Sequence, residues 1–172
     1  DGPTRLNTTA VADGSEYKLN HDGPPVDGET VTAVLEAVSA HDPDTVVVSG
    51  SLPPGVTTDA VDAVASAGDW DTVVDMDGDA LRALDDRYAL CKPNREELAS
   101  ATDADVSTVE GCARAAAAFR AAGFDRVLAS LGGDGVVLAT ESTVLHAAAL
   151  DVDPVDTVGA GDALLSGTLA AW

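Results

Sequence analysis

The stretch Asp156–Gly167, which reads DTVGAGDALLSG, decides how this chain is expected to fold. Its small residues stand where a strand-like run ends and an apolar helical run, about Asp162 to Ala171, begins. The backbone N–H groups of Gly159, Ala160 and Gly161 can converge on one point with almost no side chain in the way. The positive end of the helix dipole faces the same point, so the stretch predicts an anion site at a strand-to-helix turn.

The carboxylate of Asp162 lies beside this predicted anion site. An anion hole with an adjacent base is what phosphoryl transfer to a hydroxyl requires. A glycine-rich turn that only makes a tight corner is the alternative for these residues. A dinucleotide fingerprint is disfavoured because Leu164 stands where a third small residue is needed, and the chain has no G-x-x-x-x-G-K-[ST] P-loop.

The composition indicates one α/β domain. The 172 residues are long enough to bury a full core, and 45% of them are apolar while only 3% are aromatic, so Val, Ala and Leu must fill that core. Val-rich runs alternate with Ala-rich runs, which favours layers of strands and helices. Cys91 and Cys112 have no metal-ligand spacing and form no disulfide framework, so we expect two free buried thiols.

The charge of the chain is strongly acidic. There are 30 acidic against 9 basic residues, a net charge of −21, and the acidity is spread over the whole chain. Such a diffuse acidic coat is typical of proteins adapted to high salt, where screening is short-ranged, so we expect a halophilic protein. The same charge opposes binding to nucleic acid or to an anionic membrane. Without a signal peptide or a membrane-length apolar run in the sequence, we expect a cytoplasmic protein.

Hydrophobic periodicity predicts strands and helices in alternation. The predicted strands are Thr4–Ala12, Glu16–Leu19, Thr45–Val48, Thr72–Met76, Arg87–Cys91, Arg126–Ala129, Val136–Ala139 and Thr143–Ala148. The predicted helices are Glu29–Ala40, Thr58–Ala67, Asp79–Leu84, Ser107–Ala122 and the one after the anion site, with Ser107 and Glu110 as a capping box. The apolar runs at Thr45–Val48 and Thr72–Met76 predict strands covered on both faces.

Polar residues follow one predicted strand after another, at Ser49, Asp75, Lys92, Ser130 and Gly159. In a parallel sheet the strand ends that precede such loops share one edge, and ligands bind there. We therefore expect these loops to line one crevice. The first two predicted strands form a hairpin instead, which is marginal in water unless another surface covers it.

Four motifs, in order, resemble the PfkB branch of the ribokinase-like sugar kinases. They are VSGSLPPG at 48–55, KPNREEL at 92–98, SLGGDG at 130–135 and DTVGAGD at 156–162. The resemblance implies a Rossmann-type three-layer α/β/α sheet with a partial β lid. Residues 1–25 would be a lid hairpin and hinge, and residues 26–172 the core. Members of the family are longer at both ends, so the resemblance also implies an internal fragment.

The resemblance also implies chemical roles. Asp162 would be the general base, and the amides of Gly159, Ala160 and Gly161 would hold the charge on the γ-phosphate. Asn94 and Glu97 match the N-x-x-E element of the family, associated with Mg²⁺ and phosphate. The alternative for this pair is a helix capping box, and both roles can hold together.

The remaining implied roles are binding roles on two sides of the site. The nucleotide side would be Lys92, Asn94, Ser130, Gly132 and Gly135. The phosphosugar side would be Arg5, Asn7, Ser49, Gly50 and Ser51.

The SGSLPPG run most resembles the phosphosugar branch of the family. The implied activity is ATP- and Mg²⁺-dependent phosphorylation of a sugar phosphate, with fructose 1-phosphate favoured and fructose 1,6-bisphosphate as product. Tagatose 6-phosphate and fructose 6-phosphate stay open as acceptors. A non-catalytic phosphometabolite-binding module is the alternative from another class. A homodimer formed through the partial lid is a further possibility.

Overall fold

The computed structural model describes residues 4–12, 15–152 and 157–172. A two-stranded antiparallel sheet, made of β1 (Asn7–Ala12) and β2 (Ser15–Asn20), precedes a six-stranded sheet. The strands of the larger sheet are β3 (Thr45–Ser49), β4 (Asp71–Asp75), β5 (Leu90–Cys91), β6 (Val127–Ser130), β7 (Val136–Ala139) and β8 (Val144–Ala147). The helices are α1 (Gly28–His41), α2 (Thr58–Ser66), α3 (Gly78–Ala83), α4 (Arg95–Thr102), α5 (Val109–Arg120) and α6 (Ala160–Ala170).

The larger sheet has the order β3-β4-β5-β6-β7-β8. The first four strands run parallel to one another, and β7 and β8 complete the sheet as an antiparallel hairpin. The parallel strands end at one edge, because each connection between them crosses over through helices. This arrangement confirms the predicted α/β class and brings the polar loops together.

Helices cover both faces of this sheet. Successive residues of a strand point to opposite faces, and accordingly Val74 belongs to a large apolar cluster under α2 to α5 while Val73 belongs to a smaller one. Leu165 of α6 closes the smaller cluster with Leu90 and Leu128. The three-layer α/β/α architecture implied by the resemblance is therefore present, with α6 in the second layer.

The prediction of a strand buried on both faces is correct for β4 and wrong for β3. Val73 and Val74 of β4 are fully buried. In contrast, β3 lies at the edge of the sheet, Val47 is 44% exposed, and α1 has no buried residue. Among the described residues only β4 pairs with β3, so its continuous apolar run does not reflect coverage on both sides.

The predicted start of α5 is wrong by one residue. Thr108 is the N-cap, and its side chain accepts the N–H of Gly111 at 3.0 Å. Ser107 instead donates its N–H to the carboxylate of Asp105, which forms a local turn before the helix. Glu110 is therefore an acidic residue of the first turn and not the partner of Ser107 in a capping box.

The predicted strand Arg87–Cys91 is also shorter than expected. Only Leu90–Cys91 pairs as a strand, and Tyr88 makes a single isolated bridge to Phe124. Tyr88, Ala89, Leu90 and Cys91 are nevertheless buried, and Tyr88 stacks at a tilted angle on Phe124 with 5.7 Å between the ring centres. Residues 88 and 89 still make backbone hydrogen bonds to Thr72, Gly123 and Asp125, so packing and these bonds together keep the segment extended.

The hairpin of β1 and β2 confirms the two predicted strands, while the residues Asp13–Gly14 of its predicted turn lie outside the described residues. Leu6, Tyr17 and Leu19 are each more than half exposed on it. A backbone hydrogen bond of 2.8 Å from Val26 to Pro54 joins the segment after the hairpin to the core. None of the described helices is long and apolar enough to span a bilayer.

Candidate active site

Two clefts open at the carboxyl edge of the sheet. The larger has a volume of about 700 Å³ and the smaller about 290 Å³. Residues that line the larger cleft include Lys92, Asn94, Ser130, Gly132, Gly159 and Gly161, and those of the smaller cleft include Ser49, Gly50, Ser51, Met76 and Asp77. Three carboxylates, of Asp75, Glu97 and Asp162, line both clefts. A reaction between a ligand in each cleft would therefore take place beside these groups.

The helix α6 begins two residues earlier than predicted. Its N-cap is Gly159 at φ 77°, a left-handed conformation that glycine adopts without strain. The helix then starts at Ala160, which places Asp162 within the first turn. A carboxylate at this position is stabilised by the positive end of the helix.

The expectation that three amides converge on the anion is wrong for Ala160. Its N–H donates to the carbonyl of Thr157 at 3.1 Å and closes the turn before the helix. Gly161 and Asp162 are first-turn residues whose N–H groups have no acceptor within the helix. Both residues line the larger cleft, as does Gly159, whereas Ala160 does not.

Lys92 is a buried cation beneath the first turn of α6. The residue is 4% exposed, and its Nζ lies 3.0 Å from Oδ1 of Asp75. A Cβ added at Gly161 would lie 3.2 Å from the same Nζ, so a larger residue there would push the ammonium group by a few tenths of an ångström. Lys92 and the helix N-terminus both contribute positive charge on the same side of the larger cleft, which suits a phosphate group.

The pairing of the strands explains how Asp75 comes to meet Lys92. The N–H of Lys92 donates to the carbonyl of Val74 at 3.0 Å, which continues the β4–β5 pairing beyond Cys91. Asp75 is the last residue of β4 and pairs with Ser49 on its other side. The sequence placed Asp75 in the crevice but assigned it no role. The signal that could have identified Asp75 is a carboxylate directly after the apolar, buried pair Val73 and Val74.

Asn94 and Glu97 form a helix capping box, which was the alternative to a role in binding Mg²⁺ and phosphate. The side chain of Asn94 accepts the N–H of Glu97 at 2.9 Å, and Glu97 Oε2 accepts the N–H of Asn94 at 2.7 Å. Both side chains line the larger cleft, so capping does not remove them from the site. Burial raises the pKa of Glu97, against the opposing effects of the Asn94 hydrogen bond and of Lys92.

Replacing Glu97 with Gln is expected to raise Tm at neutral pH. Gln keeps the capping box and removes a carboxylate whose ionisation is opposed by burial. The pKa of Glu97 is higher in the folded protein than in the unfolded chain. Glu97 in the wild type therefore stabilises the fold most when it is protonated, at a pH below its unfolded pKa. This stabilisation is lost as the pH rises through the folded pKa and the carboxylate ionises. The advantage of E97Q should therefore be present at pH 7 and vanish below a pH of about 4.

Thermal unfolding of wild type and E97Q at a series of pH values, in one salt concentration, checks this prediction. Glu96→Gln is the matched control, because Glu96 is an exposed carboxylate in the same first turn. We expect no comparable pH-dependent gain for E96Q. An E97Q protein that is less stable than wild type at pH 7 would contradict the burial argument.

Gly135, expected on the nucleotide side, does not line either cleft. It has φ 91°, and a Cβ there would lie 2.0 Å from the carbonyl oxygen of Ala147. Its role is to let the chain pass close to β8, which is a structural reason for a glycine.

The lid residues Arg5 and Asn7 reach the smaller cleft indirectly. Nη1 of Arg5 donates to Oγ of Ser51 at 2.5 Å, and its Nε donates to Asn7 at 3.0 Å. Neither lid residue lines the cleft itself. Since Ser51 does line it, the lid hairpin contacts the rim of the expected phosphosugar side.

Known proteins are similar to this chain in sequence. A family model described as pfkB family carbohydrate kinase matches residues 1–172. The chain is 54% identical over 171 residues to a 1-phosphofructokinase of Haloferax volcanii, covering 99% of this chain and 56% of the relative. It is 32% identical over 174 residues to a 1-phosphofructokinase of Bacillus subtilis, covering 98% and 57%. The chain thus spans little more than half the length of these relatives, and its acidic, halophilic composition fits the Haloferax relative.

A solved structure supports the same assignment. The tetrameric inhibited form of phosphofructokinase-2 from Escherichia coli matches with a TM-score of 0.84 and 27% sequence identity, covering 96% of this chain and 57% of that chain. Sequence and fold therefore agree, and the chain belongs to the pfkB family of carbohydrate kinases.

Proposed function

We propose that the protein containing this chain transfers the γ-phosphoryl group of ATP to a hydroxyl of a sugar phosphate. The favoured acceptor is fructose 1-phosphate, which gives fructose 1,6-bisphosphate. The observation that carries the proposal is that Asp162 lines both clefts, beside the N-terminus of α6. The names of the Haloferax and Bacillus relatives support the choice of acceptor.

The larger cleft suits the triphosphate of ATP. Lys92, buried under α6, and the first-turn amides of Gly161 and Asp162 would balance the charge on the transferred group. Ser130 and Gly132 also line this cleft. The smaller cleft, with the hydroxyls of Ser49 and Ser51, would hold the phosphosugar.

In the proposed reaction Asp162 accepts the proton of the acceptor hydroxyl. The acceptor oxygen forms a bond to the γ-phosphorus while the bond from this phosphorus to the bridging oxygen breaks, and ADP leaves. A loose transition state needs little deprotonation before transfer, so a weak base at this position is sufficient.

The donor set of the clefts fits Mg²⁺. Glu97 and Asp75 offer carboxylate oxygens at the larger cleft, and Mg²⁺ is held by one or two carboxylates together with substrate phosphates. No group of three or more acidic, His or Cys side chains in the described ranges could hold a metal alone, which agrees with this shared mode. Bound there, Mg²⁺ would neutralise charge on the β- and γ-phosphates.

We further propose that the hairpin within residues 1–25 acts as a lid over the smaller cleft, with residues 26–172 as the core. The contact of Arg5 with Ser51 supports this division. The exposed Tyr17 and Leu19 offer an apolar face for the expected homodimer through the lid. That dimer and the cytoplasmic location stay predictions.

A coupled assay of the full-length protein in concentrated KCl with Mg-ATP tests the proposed function. Fructose 1-phosphate, fructose 6-phosphate and tagatose 6-phosphate are offered separately, and kcat/KM is compared. We expect the highest value for fructose 1-phosphate. Turnover with none of the three, in a protein that still binds ATP, would reject the proposal in favour of a phosphometabolite-binding module.

A further inference from the structure

Arg95, the first residue of α4, connects three segments around the larger cleft. Its Nη1 donates to the carbonyl of Val106, in the loop between α4 and α5, at 2.6 Å. Its Nη2 donates to Oδ2 of Asp134 at 2.5 Å. The Arg95 side chain is 26% exposed and lines the cleft, whereas the Asp134 side chain is 60% exposed. The bond to Val106 is therefore partly shielded from water and the bond to Asp134 is not, and both are charge-assisted on the donor side.

Asp134 ends the short 3-10 turn Gly132–Asp134, which follows β6. Gly132 has φ 62° and Gly135 has φ 91°, so the turn is built from residues with little intrinsic stiffness. The Nε2 of His146 on β8 lies 2.7 Å from the backbone carbonyl oxygen of Asp134. Asp134 is therefore held through its side chain by Arg95 and through its backbone by His146.

Asp134 does not itself line the larger cleft, whereas Leu131 and Gly132 of the same loop do. On the Asp134 side, the Arg95–Asp134 bridge can therefore affect a ligand through the position of this loop. We infer that Arg95 is a positioning residue that fixes the loop 131–135 through Asp134 and so pre-organises one wall of the larger cleft for the nucleotide. The inference rests on the proposed role of this cleft as the ATP site.

Loss of the bridge would leave the loop to be ordered by the nucleotide. His146 and the backbone hydrogen bonds of the turn still hold the loop in part. Nucleotide binding must restrict the remaining motion, and this ordering cost reduces nucleotide affinity. The step of phosphoryl transfer would be affected little, because the loop is already in place once ATP is bound. The inference therefore predicts a change in KM and Kd for ATP without a matching change in kcat.

A direct contact between Arg95 and the triphosphate is the rival explanation, because the guanidinium also lines the cleft. The two explanations differ in the effect of Asp134→Asn. If Arg95 works through the loop, D134N weakens ATP binding as R95M does. If Arg95 binds phosphate directly, D134N frees the guanidinium, and ATP binding stays the same or becomes tighter.

The experiment compares full-length wild type, R95M, D134N and the double variant in one concentration of KCl. We expect KM and Kd for ATP to rise about three- to tenfold in each single variant. The Kd of the double variant for ATP should be no higher than that of the single variant that binds ATP more weakly, because the two residues act through one bridge. The value of kcat should stay within about twofold of wild type.

The pair Arg87 and Asp125 provides the matched control. These side chains form an ion pair of 2.7 Å, in which the arginine is more exposed than Arg95 while the two aspartates are similarly exposed. They lie before β5 and β6, at the edge of the sheet opposite the clefts. We expect R87M and D125N to leave the ATP constants unchanged.

Hydrogen exchange of a peptide covering residues 130–136, in the nucleotide-free protein, gives a readout independent of activity. Faster exchange is expected in R95M and D134N and not in the control pair. Unchanged exchange in both variants overturns the inference, as does faster exchange with unaltered ATP affinity. Tighter or unchanged ATP binding in D134N alongside weaker binding in R95M also overturns it.

A wild-type protein that binds no ATP would overturn the proposed function and the nucleotide part of this inference together. The exchange data would still decide whether Arg95 holds the loop. The two failures are therefore distinguishable.

Discussion

Asp162→Asn is expected to lower kcat by about 10²- to 10⁴-fold, the usual contribution of a positioned general base. Asn has nearly the same size as Asp and can occupy the same place in the first turn of α6, but it cannot accept the hydroxyl proton. The buried Lys92 and the amides of α6 remain, so the Kd for Mg-ATP should change by no more than about twofold. Steady-state kinetics and calorimetric titration with a non-hydrolysable ATP analogue measure the two quantities separately.

Asp59→Asn is the matched control for D162N. Asp59 is likewise an acidic residue in the first turn of a helix, α2, but it is exposed and lines neither cleft. We expect D59N to retain wild-type kcat. Turnover of D162N within about threefold of D59N, well below the usual contribution of a base, would remove Asp162 from the role of general base.

Lys92→Met is expected to have the largest effect on stability, lowering the free energy of unfolding by about 2–4 kcal/mol. Met fills a similar volume but leaves Asp75, whose side chain is 14% exposed, without its cation. The pKa of Glu97 should rise further, since Lys92 is one of the groups that lower it. Loss of the buried ammonium should also weaken ATP binding strongly, because it contributes much of the positive charge at the larger cleft.

Denaturant unfolding of K92M, D75N and the double variant K92M/D75N tests this account. The double variant should recover most of the stability that K92M loses, because it no longer holds an uncompensated carboxylate. Arg87→Met, at a cation whose side chain is 83% exposed, is the control and should change stability by no more than about 0.5 kcal/mol. Equal stability of K92M and R87M would show that the Lys92–Asp75 pair contributes little.

Local sequence patterns were sufficient to predict the layers of this fold and the edge where the site lies. The apolar run through Val73 and Val74 and the polar residue after it define β4 and its cleft-facing end. A similar apolar run was misleading for β3, because the burial of a strand depends on elements that are distant in sequence. Ser107 and Thr108 are both good N-cap residues, so the sequence alone could not decide which of them caps α5.

The residue types of the site were predictable, but their pairing was not. Lys92 was expected at the site as a cation at a strand end, whereas its partner Asp75 follows from the parallel pairing of β4 and β5. Gly135 was assigned to the nucleotide from its glycine-rich loop, although its close approach to Ala147 depends on the β7–β8 hairpin. The bridge from Arg95 to Asp134 joins residues 39 positions apart, which no local pattern records.

The most direct test of the central claim is ³¹P NMR of the full-length protein with Mg-ATP and fructose 1-phosphate in concentrated KCl. Phosphoryl transfer between the two clefts predicts loss of the ATP γ-phosphate signal, formation of ADP and a second phosphomonoester signal on the sugar. Inorganic phosphate as the only new phosphorus species besides ADP, or an ATP signal that persists unchanged, would contradict it.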